Sequence, residues 1–105
     1  MAATAAGPSK KTIQISLTGT STEYLAPEAG YISYRAEPQD NNAWISLAID
    51  GTSLYDLARP TVAGSVIALN LPISKGQKAI LNCASNVSFT SRTARFIYVN
   101  GNAPA

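Results

Sequence analysis

The chain has 105 residues, enough to build one hydrophobic core and too few to divide between two. Only 13% of them are charged against 46% apolar, and the net charge is +2, so no strong field draws the chain towards nucleic acid or an anionic membrane. Histidine is absent and Cys83 is the single cysteine, which excludes an internal disulfide, Cys/His metal clusters and every Ser–His or Cys–His nucleophile.

Residues 1–11 lack apolar periodicity and are expected to form a flexible arm, because little there offsets the entropy of ordering. A regular pattern begins at Thr12: Ile13, Ile15 and Leu17 fall on one face of a strand, Gln14, Ser16 and Thr18 on the other. Gly19-Thr20-Ser21 breaks it. Glu23-Tyr24-Leu25 then leads into Ala26-Pro27-Glu28-Ala29-Gly30, a predicted tight turn with glycine at positive φ, and Tyr31–Ala36 follows as a strand. Beyond the polar Pro38–Asn42 loop, Trp44–Ile49 alternates and ends in Asp50-Gly51. That dipeptide predicts a type I′ hairpin that returns Thr52–Ala58 antiparallel to Ala43–Ile49.

Val66–Leu71 makes the next strand, closed by Pro72-Ile73-Ser74-Lys75-Gly76. Gln77–Cys83 and Arg95–Val99 supply the last two, separated by a Ser/Thr-rich span, 85–93, with room for a short strand around Val87-Ser88-Phe89. Eight strands with no helical period predict an all-β antiparallel sandwich, jelly-roll-like, over residues 12–102, with a short tail at 103–105. Cys83 reads as a small buried apolar residue. No apolar run approaches the roughly 20 residues that a membrane-spanning helix requires, so membrane insertion is not expected, nor is secretion by a leader.

Catalysis has little to work with. Of six acids, Glu28 and Asp50 lie in predicted turns, Asp40 in a loop, and none has an apolar pocket that would raise its pKa, so no enzymatic activity, metal or cofactor is expected. The basic residues Arg59, Lys75, Lys78, Arg92 and Arg95 fall in the second half without an acid beside them. Strands of the two halves interleave in a sandwich, so nucleic acid is not expected as a partner. Two loops carry complementary polar groups: Asp40, Asn41 and Asn42 beside Trp44 offer acceptors, amides and a stacking ring, and the span ending in Arg92 and Arg95 offers hydroxyls and guanidinium groups. These six residues are the candidate receptor-binding set.

The order Tyr24-Leu25-Ala26-Pro27-Glu28-Ala29-Gly30-Tyr31, then Ile49-Asp50-Gly51-Thr52, then Leu71-Pro72-Ile73-Ser74-Lys75-Gly76-Gln77, then Phe96–Gly101, resembles the C-terminal head domains of tailed-bacteriophage tail fibres and related virion jelly-roll proteins. Ile73 and Gln77 stand where that family carries Val and Asp. The resemblance implies a homotrimeric, non-enzymatic virion protein, made in the bacterial cytoplasm, that contacts other virion proteins and attaches to a glycan or protein at the host surface. The residues leave two alternatives open, a capsid decoration or assembly protein and a cellular carbohydrate-binding module.

Overall fold

A computed structural model describes residues 8–62 and 64–99, with the side chains of Pro8 and Ser9 excepted. They form eight strands: β1 (Pro8–Ile15), β2 (Ser21–Leu25), β3 (Gly30–Pro38), β4 (Ile45–Ile49), β5 (Tyr55–Ala58), β6 (Ile67–Ile73), β7 (Lys78–Cys83) and β8 (Phe89–Val99). All pairings are antiparallel, and the two four-stranded sheets have the orders β1-β8-β3-β6 and β2-β7-β4-β5. Within them β4 pairs β5, β3 pairs β6, β2 pairs β7 and β1 pairs β8, so the chain is a set of nested hairpins folded across two layers. That order is a jelly roll.

Alternation along each strand sorts the core. In the first sheet Ile13, Phe96, Ile32 and Leu71 align in one inward row, and Ile15, Ala94, Tyr34 and Leu69 in the next. The second sheet answers with Leu81 beside Leu47, Ala79 beside Ile49 and Cys83 beside Ile45. All of these except Ile13 and Leu71 are buried, and those two pack against the same cluster. Cys83 is buried and unbonded, as its place in an alternating strand leads one to expect.

Four local features differ from the sequence expectation. First, β1 begins at Pro8, inside the span read as an arm. Its first residues are held by backbone pairing with β8, Pro8 opposite Val99 and Thr12 opposite Ile97, with a register shift between, and backbone pairing leaves no apolar signature. Residues 1–7 and 103–105 lie outside the described residues.

Second, β8 runs unbroken from Phe89 to Val99, taking in Thr90–Ala94. The alternation there is masked, because the inward positions are Arg92 and the small Ala94 while Ser91 and Thr93 face out.

Third, the β4–β5 hairpin forms with Ala48 opposite Tyr55, but its turn is not type I′. Gly51 has φ of 80° and the Ile49 carbonyl accepts from Thr52 N–H at 3.2 Å, whereas Asp50 is not at positive φ; these are the marks of a type II turn. The Thr52 hydroxyl donates to the same carbonyl at 2.7 Å and accepts from Leu54 N–H, holding a four-residue loop that a two-residue one would replace.

Fourth, Gly30 is the first residue of β3 and is not at positive φ. A Cβ at this position would meet the Ile97 carbonyl oxygen and lie 2.7 Å from the Phe96 ring. Close approach, not turn geometry, demands glycine here.

Candidate functional site

The two outer faces of the sandwich differ in chemistry. Outward positions of β2, β7, β4 and β5 mix apolar Leu25, Ile80, Ala48, Tyr55 and Leu57 with Ser21, Ser46, Asn82 and the Glu23–Lys78 ion pair, and Leu25 is 64% and Tyr55 58% exposed. The opposite face, over β3 and β8, is polar. Inward Ile32, Tyr34 and Ala36 leave Ser33, Arg35 and Glu37 of β3 facing solvent, and inward Arg92, Ala94 and Phe96 leave Ser91, Thr93 and Arg95 of β8 beside them. Register places Ser33 opposite Arg95, Arg35 opposite Thr93 and Glu37 opposite Ser91.

These six side chains line a recess of about 240 Å³ with Val66 at its rim. It exists because short hydroxyl side chains alternate with long guanidinium ones on adjacent strands, leaving a floor between raised walls. Arg35 and Arg95 occupy diagonal positions, which on neighbouring antiparallel strands lie roughly 7–8 Å apart. Among the described residues both ion pairs are elsewhere, Lys75 with Glu28 and Lys78 with Glu23. Two like charges therefore share one concavity with no carboxylate within ion-pair distance.

The six residues singled out from the sequence are divided among three environments. Asp40, Asn41, Asn42 and Trp44 lie in the β3–β4 connection at the end of the sandwich where the chain also turns from β7 to β8. The Asp40 carboxylate accepts the Asn42 N–H at 2.8 Å and its carbonyl accepts from Ala43 N–H, so this side chain shapes its own loop. Asn41 and Asn42 are exposed, and Trp44 is half-buried, with its carbonyl accepting from Ala84 N–H.

Arg92 and Arg95 fall on opposite faces, because they stand three positions apart, an odd spacing, on a strand of period two. Arg95 joins the recess. Arg92 turns inward at the end of the core, where one guanidinium nitrogen donates to the Tyr34 hydroxyl at 3.1 Å, the other donates to the Gly19 carbonyl at 2.8 Å, and the group lies 5.7 Å from the Phe89 ring centre. The Tyr34 hydroxyl in turn donates to the Asn82 carbonyl at 3.2 Å. This network satisfies a fully buried tyrosine and ties the β1–β2 connection to β8.

Burial raises the Tyr34 hydroxyl above its usual pKa near 10, with Arg92 pulling it partly back, and burial with help from Tyr98 raises Tyr24. Both groups hold their protons more tightly folded than unfolded, so their stabilisation is whole below the ordinary tyrosine value and is lost as pH rises through the raised ones. Urea midpoints measured from about pH 9 to about pH 11 are expected to fall with pH, and to fall less steeply in Tyr34→Phe. An equal slope in that variant would remove Tyr34 from the alkaline transition.

Arg35, Ser33 and Glu37 were not singled out from the sequence, although the alternation of β3 already places them outward. Their significance depends on β8 lying alongside, a pairing across about sixty residues for which no local signal exists. In comparisons with known proteins, no family model matches the chain and no curated protein matches it.

Proposed function

We propose that this chain is a non-enzymatic binding module, the jelly-roll head of a bacteriophage tail fibre or a related virion protein, which attaches to a glycan of the host surface. The recess between β3 and β8 carries the proposal: a polar concavity on a rigid sheet, lined by hydroxyl, guanidinium and carboxylate groups, suits a ligand recognised through hydroxyl groups. The jelly-roll order supports the reading, since that architecture recurs in viral and lectin domains. So does the placement of two of the turns that carry the resemblance. They meet at one end of the sandwich, where Ala26 N–H donates to the Gln77 carbonyl and Gly76 N–H to the Ala26 carbonyl, each at 2.9 Å. A homotrimer belongs to this reading, and the outer face of β2-β7-β4-β5, where exposed Leu25 and Tyr55 stand among polar neighbours, is the surface suited to it.

The test passes the full chain over a panel of immobilised bacterial lipopolysaccharides and capsular polysaccharides, beside Ser91→Trp. Ser91 faces outward opposite Glu37, so an indole there fills the recess while the strand accepts the aromatic. Expected is retention of the wild-type chain by at least one polysaccharide and a loss of about tenfold or more in affinity for Ser91→Trp, with circular dichroism and sedimentation unchanged. No retention by any of them, or equal retention of the variant, overturns the proposal and favours a capsid decoration role.

A further inference from the structure

We infer that the β3–β8 recess selects a sugar bearing a carboxylate, with Arg35 and Arg95 together gripping the acid group and Glu37 receiving ring hydroxyls at the far end. The inference rests on the glycan-binding reading above and names the class of sugar. Along the recess the outward pairs run Arg95 with Ser33, Arg35 with Thr93, then Glu37 with Ser91, so the floor is cationic at one end and anionic at the other. A neutral sugar needs no such polarity. Guanidinium groups present planar forks that match a carboxylate with two hydrogen bonds each, and these two stand at neighbouring diagonal positions with no carboxylate within ion-pair distance.

Glu37 adds the discrimination. A polyanion laid along the recess would set its second charge against this carboxylate, whereas a single acidic sugar meets the arginines with its acid and Glu37 with its hydroxyls. The volume agrees with this scale. About 240 Å³ lies below the usual range for drug-sized ligands and suits one sugar ring with its substituent. Val66, half exposed at the rim, offers the apolar wall against which the C–H face of a pyranose rests.

The experiment titrates the full chain, by calorimetry, with otherwise neutral oligosaccharides that carry a single glucuronic, galacturonic or mannuronic acid residue, each beside its carboxyl-reduced counterpart, in which the acid has become a primary alcohol and the ring is otherwise unchanged. Expected is binding of at least one acidic probe, weakening of about tenfold or more on carboxyl reduction, a further fall with added sodium chloride, and loss of the acidic probe by Arg35→Gln with Arg95→Gln. Circular dichroism of the double variant should match the wild type, because neither side chain supports the core. Binding of the reduced probes as tightly as the acidic ones, with Ser91→Trp still abolishing it, overturns the acid selectivity and leaves glycan binding intact. Failure of every acidic probe also overturns the inference, and retention on the polysaccharide panel then decides the broader proposal separately. Full binding by the double variant removes the arginines from the site.

Discussion

Replacing Phe96 by alanine is expected to remove about 4 kcal/mol of unfolding free energy, a large part of the roughly 5–15 kcal/mol that holds a domain of this kind folded. Phe96 is fully buried in the middle of β8, aligned with Ile13 on one side and Ile32 on the other. Its ring meets Tyr98 edge-on at 4.9 Å and Tyr24 at 5.9 Å, so truncation loses transfer energy, aromatic contacts and packing together. The cavity cannot close readily, because both neighbouring strands are fixed by their ladders. Urea unfolding at a fixed protein concentration measures the loss. A change below about 1 kcal/mol would mean that the centre of the sandwich collapses around the gap.

Gly30→Ala is expected to cost about 3 kcal/mol, an unusual sum for one methyl group. The added carbon collides with the Phe96 ring, which can shift, and with the Ile97 carbonyl, which is held in the sheet. The two substitutions should therefore couple. With Phe96 already alanine, the ring no longer obstructs the new methyl group, and Gly30→Ala should cost less than in the wild type while keeping the part due to the carbonyl. Additive losses in a double-mutant cycle would assign the whole penalty to the backbone contact.

Gly30 also illustrates how far the sequence could be read. That a glycine closes Ala26-Pro27-Glu28-Ala29 was legible, but turn chemistry offered positive φ as the reason, and the true obstacles are the Ile97 carbonyl and the Phe96 ring, far along the chain on β8. Local alternation disclosed most strands, including the Asp-Gly hairpin, because one face of each is buried and the other wet. It failed where an inward position holds a polar residue. Arg92 sits in such a place, since Tyr34 and Gly19 supply the oxygen atoms that let a guanidinium face the core, and Thr90–Ala94 accordingly looked like a connection.

The candidate site was half legible for a related reason. Arg95 belongs to the recess, but Arg92 does not, and strand period alone forbids the two from sharing a face once the span is known to be a strand. Arg35, the partner that Arg95 meets instead, comes from a strand that nothing near Arg95 in the sequence could name.

The place of β8 in its sheet carries a consequence for how the molecule is made. β8, the last described strand in sequence, lies between β1 and β3, and until it arrives β1 has no ladder partner and β3 keeps one backbone edge unpaired. A chain emerging from the ribosome can close the β4–β5 and β3–β6 hairpins early, yet it cannot complete the first sheet before Phe89–Val99 is free to enter. Folding so dominated by distant partners is slow, on the order of milliseconds to seconds. During that interval, open edges can pair with the edges of neighbouring chains, so expression at low temperature and low density should favour the soluble form.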